Sequence, residues 1–373
     1  MRPTDHPETP EQLADAMAAA ARAGRTIALG GAFTKDRFGG PAQAADVRIS
    51  TAAMKRVLRY EPNDLTISVE AGLPYDDLRR LLAEKRQMVP LDPPFARTGT
   101  VGGTLAVNSS GPRRRLFGAA RDQVIGLTFA TLEGKLPQSG GQVVKNVAGL
   151  DMGKLLIGSY GTLAAIAVVN FKLHPIAPCS RTFLRKFDTA GEAFAARNET
   201  LRGVLQPVAI DLLNPAASAR LGRQGWLLAI QAQGNRAIVE RYSQAMPGAE
   251  ALEEVSEEAF WESVREFTPR FLTAHPSGAM ARLSCTLEDL AAAMAAIAAP
   301  AVARAGNGVA YVHFQDCAGA VACVRGRRGV VESASTACEQ WPEPGDDFPI
   351  MKKIKEMFDP GALLNRGRLY GRI

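Results

Sequence analysis

The chain has 373 residues, 46% of them hydrophobic and 22% charged, with a formal net charge of +6. That length exceeds one ordinary core and fits two domains of a soluble globular protein. No apolar run reaches the length of a membrane span, and the basic residues are scattered apart from 113–115, 325–328 and 352–355. With no aromatic-rich basic strand or zinc spacing beside them, these totals argue against a membrane span and against nucleic-acid binding.

The N-terminus, MRPTDHPETPEQ, places charges and prolines where a signal peptide needs an apolar core, which predicts a chain that is not exported. Residues 7–24 then read as a helix with Leu13 and Met17 on one face, ending at Gly24. RTIALGG is a short strand running into glycines, and DVRIST and LRYEPNDLTISVEAG are strands around a Pro-Asn-Asp turn. A second amphipathic helix covers 73–87, with Leu78, Leu81 and Leu82 inward. VIGLTFATLEGK reads as strand and turn, and 162–175 as a buried strand. Beyond His174-Pro175 the character changes. Alternating strands and helices predict a second α+β domain over 177–350, and 351–373 a tail that returns to the first. Five cysteines, all beyond residue 178 and without a CxxC pair, predict reduced thiols and a cytoplasmic protein.

The familiar phosphate loops are missing: no GxGxxG follows the first strand, and LEGKLP at 132–137 has leucine where a P-loop has its hydroxyl. Two other glycine-rich loops stand out, LGGAFTK at 29–35 and TGTVGGTLAVNSSGPRRR at 98–115. Successive main-chain amides can cradle a diphosphate, and glycine permits the close approach. Either loop taken alone is also an ordinary strand-end turn.

These loops occur in order with LTISVEAGLPYDDLRRLLAEKRQMVPLDPP, ARDQVIG, KNVAGLD, GSYGTL and IKEMFDPGALLNRGRLY. Together they resemble the FAD-binding oxidoreductases of the vanillyl-alcohol oxidase and p-cresol methylhydroxylase type, most closely the glycolate-oxidase subunits. The resemblance covers about 30–175 and 354–370. It implies an α+β fold: an FAD domain of two subdomains over 1–176, then a cap domain. It assigns Gly30, Gly31, Ala32, Phe33, Thr34 and Lys35 to a diphosphate loop, and Gly99, Thr100, Gly102, Gly103, Ala106 and Ser109 to a second FAD segment. Gly149, Gly158, Gly161, Thr162 and Ile166 would approach the rest of the cofactor, with Arg113, Arg114 and Arg115 at the mouth of that site. Asn365, Gly367 and Arg368 would close the tail on the FAD domain.

Several residues depart from the family pattern. Ala32-Phe33 stand where relatives have a third glycine and a small polar residue, and GTLAA replaces GTLGV. The flavin domain has no cysteine, and its histidines, His6 and His174, lie outside the loops, so FAD is expected to be non-covalent. Of the histidine-rich cap motif of relatives only His275 and His313 remain, and no metal site is expected. The catalytic base is left unassigned, with His313 a candidate and core packing its bland alternative; Asp316 would point to the other face of a strand. Arg113, Arg114, Arg366 and Arg368 are candidate clamps for a carboxylate, since guanidinium matches it bidentately. Tyr160 and Asp151 lie in matched motifs and carry either packing or site contacts. The resemblance implies oxidation of a small 2-hydroxy acid of the glycolate or D-lactate class. It also implies a paralogous FAD subunit and an iron–sulfur subunit as partners, with peripheral membrane contact through them. Three rivals stay open: a non-catalytic FAD-binding scaffold, an oxidase of another small alcohol that acts alone, and a chain that has lost FAD through the Phe33 and GTLAA changes in its binding motifs.

Overall fold

The computed structural model describes residues 4–40, 43–141, 151–335, 338 and 341–373. The chain divides into two compact units. The first draws its described residues from Met1–Ser110, Gly118–Ile176 and Trp341–Ile373, the second from Gly111–Phe117 and Ala177–Gln340. This departs from the sequence segmentation at two points. Residues 111–117 belong with the second unit, and the returning tail starts at 341 rather than 351.

Unit 1 begins with β1 (Thr4–Asp5) and α1 (Pro10–Arg22). Thr9 caps α1 by accepting the Gln12 amide, and Pro10 supplies a preset first turn. Leu13 and Met17, one turn apart, are both fully buried. They pack on β2 (Ile27–Gly30) and β3 (Val47–Ser50), which with β1 form a parallel sheet in the order β1-β3-β2. A second sheet uses β4 (Val57–Glu61) and β5 (Thr66–Glu70), preceding α2 (Tyr75–Ala83), β6 (Gln87–Met88) and α3 (Val101–Ala106).

After α4 (Arg114–Phe117), which belongs to unit 2, follow α5 (Ala120–Gln123), β7 (Val124–Ala130), β8 (Gln138–Gly140) and α6 (Met152–Leu156). Strand β9 (Ala165–Lys172) completes the antiparallel order β4-β5-β9-β7-β8 among the described residues, and β10 (His174–Pro175) pairs with β6. The expected strand at 162–175 is therefore β9, shortened at both ends. Val69, Val169, Phe171 and Leu127 form the core under α2 and α3.

Unit 2 carries β11 (Cys179–Phe187), α7 (Ala190–Arg202), β12 (Ala209–Leu213), α8 (Pro215–Arg220), β13 (Trp226–Gly234) and α9 (Arg236–Ala245). It continues through β14 (Glu250–Leu252), α10 (Glu254–Arg265), α11 (Phe267–Ala274), β15 (Ala279–Ser284), α12 (Asp289–Ala295) and β16 (Ala301–Arg304). The last elements are β17 (Val309–Phe314), α13 (Cys317–Val324) and β18 (Gly329–Ala334). The described strands make one antiparallel sheet in the order β14-β11-β13-β12-β16-β17-β15-β18. Its alternating side chains feed two cores, a large one including Ile210, Leu228, Ala281 and Val312, and a smaller one beneath α10 and α11.

Cys317 and Cys338 form a disulfide, leaving Cys179, Cys285 and Cys323 as thiols. This corrects the expectation of five reduced cysteines. The sequence could not show it, because residues 21 apart come together only once α13 and β18 lie side by side. The chain closes in unit 1 with α14 (Phe348–Phe358) and α15 (Leu369–Arg372). No helix among the described residues is long and apolar enough to cross a membrane.

Candidate cofactor-binding site

The two glycine-rich loops meet inside unit 1. Strand β2 ends at Gly30, and the chain curls through 31–35 against the start of α3. A Cβ on Gly31 would lie 2.1 Å from the Thr100 hydroxyl oxygen, so only glycine lets the loops approach this closely. Ser50 ties the curl to β3 by donating to the Gly31 carbonyl at 2.9 Å.

Phe33 sits at φ 55°, a left-handed conformation that bulky residues rarely adopt. Its ring folds back toward Gly30, and the Arg48 guanidinium stacks on it, 3.5 Å from the ring centre. Arg48 in turn pairs with Asp36 at 3.2 Å. Burial raises the Asp36 pKa, against the opposing pull of Arg48 and Arg368. Among the described residues, no acceptor takes the amides of Ala32, Phe33 or Thr34. Three successive donors around a left-handed residue form an anion-binding nest. The Ala32-Phe33 departure thus takes a definite form: Phe33 supplies the left-handed turn that a glycine would otherwise supply. The buried Lys35 ammonium lies 5.3 Å from the centre of the Phe95 ring and adds positive charge beside Gly99.

The second segment contributes differently. Thr100 caps α3 by accepting the Gly103 amide at 3.2 Å. The amides of Val101 and Gly102 are already spent on the carbonyls of Leu73 and Ala71. This segment therefore offers a surface, while the first loop offers donors. Two adjoining cavities record the division. One is walled by Leu29, Ala106, Tyr160, Ala164 and Ile166, and the other by residues 31–35 with Thr100, Gly103 and Arg368. Gly161, at φ 70°, also lines the first, and a Cβ there would press on the Asn365 amide at 2.7 Å. Thr162 is buried behind that wall. Gly99, Ser109 and Gly158 line neither cavity; their amides bond to the carbonyls of Phe95, Thr104 and Leu105. Gly149 lies outside the described residues. Asp151 caps α6 and pairs with Lys154, a local structural duty.

Sequence reasoning missed how the tail holds the site. Asn365 donates to the carbonyls of Leu29 (3.0 Å) and Tyr160 (2.8 Å) and accepts the Leu29 amide at 2.7 Å. It thereby joins the end of β2 to the turn at 158–161. Lys355 and Asp359 pair in the interior at 2.6 Å, and Lys355 also donates to the carbonyls of Thr162 and Leu364. Burial lowers the Lys355 pKa, and Asp359 opposes that shift. The only hint in the sequence is the one-turn spacing of these two charges. Arg368 donates one nitrogen to the carbonyls of Asp36, Phe38 and Gly40, which makes it a brace of the loop after the nest. Arg366 is exposed.

Other candidates fall elsewhere. Arg113 and Arg114 lie in unit 2, where α4 packs on β12 and Arg115 anchors it through the Pro207 carbonyl (2.9 Å) and Gln206 (2.7 Å). His313 is buried in the same unit. His275 neighbours Arg220, with 3.0 Å between their nitrogens. Asp316 caps α13 instead of meeting His313. No group of three metal-binding side chains occurs among the described residues.

An amide nest, a lysine and a mostly apolar wall fit a dinucleotide, with residues 32–35 for the diphosphate and the wall for a ring. The sequence comparisons agree. Residues 4–139 match the family described as "FAD binding domain", so this part of the chain is an FAD binding domain and FAD is its cofactor. Glycolate oxidase subunit GlcE of Escherichia coli is 32% identical over 243 residues, 64% of this chain and 63% of the relative. Glycolate oxidase subunit GlcD of Bacillus subtilis is 30% identical over 161 residues, 43% of this chain and 34% of the relative. The chain therefore aligns with less than two thirds of either relative's length. A solved alkyldihydroxyacetonephosphate synthase shares the fold, with a TM-score of 0.70 at 16% identity over 97% of this chain and 75% of that one. The FAD-binding resemblance and the α+β class are borne out.

Proposed function

We propose that this chain is an FAD-linked oxidoreductase of a small 2-hydroxy acid, working as one subunit of a glycolate-oxidase-like assembly. The observation that carries the reading is the amide nest at 32–34 beside Lys35, in a chain similar to two different glycolate oxidase subunits. FAD, when bound, supplies the two-electron redox chemistry, and the protein supplies placement and electrostatics.

In this reading the nest and Lys35 take the diphosphate, while Leu29, Ala106, Tyr160 and Ile166 shield an apolar ring from water. The tail holds both loops at fixed separation. The cofactor is held without a covalent bond: the first cysteine is Cys179, and His174 is engaged with Gln123 at 2.9 Å. Arg113 and Arg114 supply positive charge that attracts the substrate anion. Electrons leave through partner chains, a paralogous FAD subunit and an iron–sulfur subunit, in an assembly that touches the membrane only through those partners.

The test is an absorption spectrum of the FAD-loaded chain before and after anaerobic glycolate or D-lactate. Bleaching of the flavin bands is expected, and acid precipitation should leave the flavin in the supernatant. A specific observation favours a second reading, in which the chain holds FAD and a partner does the chemistry. His313 is enclosed by the core of unit 2, with both ring nitrogens engaged. A flavin that neither acid bleaches would select that reading.

A further inference from the structure

Five adjacent strands of the unit 2 sheet each place one polar side chain in a single row. In sheet order these are Asp211 on β12, Arg304 on β16, Tyr311 on β17, Arg282 on β15 and Glu332 on β18. The register puts the first four on one face. Asp211 stands opposite Arg304, Tyr311 opposite Arg282, and Val302, two residues before Arg304, opposite Tyr311. Val330, two residues before Glu332, stands opposite Arg282. Side chains two apart on a strand share a face, which aligns the first four residues; a β-bulge interrupts the β15–β18 register at Glu332, whose carboxylate still reaches Arg282 at 3.3 Å.

Its charges alternate about a central hydroxyl. Arg304 pairs outward with Asp211, and Arg282 pairs outward with Glu332 at 3.3 Å. Each carboxylate fixes its arginine from the side away from Tyr311. The Arg304 guanidinium lies 5.5 Å from the centre of the Tyr311 ring. Its side chain is only 9% exposed, and its Nε donor is buried without an acceptor. A buried guanidinium donor left in this state is costly, and an incoming anion would satisfy it. At the other end Arg282 keeps 32% of its side-chain surface open, which gives access. The apolar core beneath α10 and α11 takes only Val302 from the last four strands of the sheet, and α11 meets β17 at His313, two residues along the same face from Tyr311.

We infer that Arg304, Arg282 and the Tyr311 hydroxyl form a binding site for the carboxylate of a small hydroxy acid. Two guanidiniums flanking a phenol offer a planar carboxylate charge-assisted hydrogen bonds from both sides and a further donor between them. Arg114 of α4 adds a third positive charge acting on the same hydroxyl, opposing the effects of burial and Glu332, which raise the Tyr311 pKa. The GPRRR segment and the sheet thus contribute to one electropositive locality within unit 2. The inference rests on the hydroxy-acid reading above and gives unit 2 a carboxylate site of its own, without the histidines that relatives place in their cap.

The probe is oxalate, which carries carboxylates but has no hydride to give. Its binding to the FAD-loaded full chain would be measured by titration calorimetry in wild type and in R282Q, R304Q and Y311F. Loss of one charge-assisted partner is expected to weaken oxalate about tenfold to a hundredfold for either arginine, and Y311F about threefold to tenfold. R241Q, at an exposed arginine outside the row, is expected to bind as wild type does. Removing Arg304 leaves Asp211 buried and can unfold the chain, so the more exposed R282Q carries the test independently.

Unchanged oxalate affinity in R282Q and Y311F would overturn the site. So would a wild type that binds no oxalate, or one in which sulfate competes as strongly as oxalate. Flavin bleaching separates the two ideas. Bleaching by a hydroxy acid with intact oxalate binding in the variants would sink the site and leave the function. Variant-sensitive oxalate binding with no bleaching would do the reverse.

Discussion

His313 shows what a lone histidine on a strand becomes when both its nitrogens find partners. Nε2 meets the Thr268 hydroxyl at 2.9 Å and Nδ1 meets the Pro300 carbonyl at 3.2 Å, while the rings of Phe267 and Phe271 lie 4.8 and 5.2 Å away. A carbonyl can only accept, so Nδ1 carries the proton and Nε2 accepts from Thr268. Burial lowers its pKa to about 3, so the ring is neutral throughout the working range. The unfolded chain binds a proton at about pH 6.5 that the folded chain refuses, and stability must therefore fall as pH drops below that value and on toward 3. Thermal melts between pH 7.5 and 4 should show this, and H313Q should melt with a shallower acid slope. An equal slope in the variant would show that other groups dominate acid unfolding. Arg368 is likewise occupied: its nitrogen serves three carbonyls, so the reading of Arg368 as a substrate clamp has to compete with that duty.

At the scale of elements, α14 and the residues after it act as a hook. The hook works through Lys355, whose ammonium serves the carbonyls of Thr162 and Leu364 as well as Asp359. Breaking a buried pair strands the surviving charge, so K355M is expected to destabilise unit 1 by about 3–5 kcal/mol. The double variant K355M/D359N should lose less than the sum of the singles, because no lone charge remains. Urea unfolding followed by flavin fluorescence measures both, and strictly additive losses would show that the two residues act separately. This part of the structure was only half legible. IKEMFDP and NRGRLY marked a tail that returns to the flavin domain, and Leu364 is indeed buried against β2. The contacts that fasten the tail to the earlier part of unit 1 join residues nearly two hundred apart or more, and no local pattern encodes such a distance.

For the whole molecule, the same contrast separates what could be read from what could not. The nest was visible because a glycine pair after a strand is a local signal, whereas its geometry depended on Phe33 adopting a left-handed turn. The polar row of unit 2 was invisible because each strand gives it one residue, and Arg282 or Arg304 looks like any surface arginine in the sequence. The disulfide is another long-range feature with a measurable effect. Closing a loop of 21 residues contributes about 3 kcal/mol to unit 2. Its removal in C317S should lower the melting temperature by roughly 5–10 °C in calorimetry, and no change would show that the bridge constrains nothing. The hook has a consequence in time as well as in space. Nest, wall and brace come from residues 29–35, 100–106, 158–166 and 355–368, so the pocket for the cofactor is not finished until the late residues arrive. During synthesis unit 2 is made before unit 1 can close, and the flavin finds its seat last. The tail is in effect a completion signal: a chain stopped before residue 355 has the motifs for FAD but lacks the brace that holds them together.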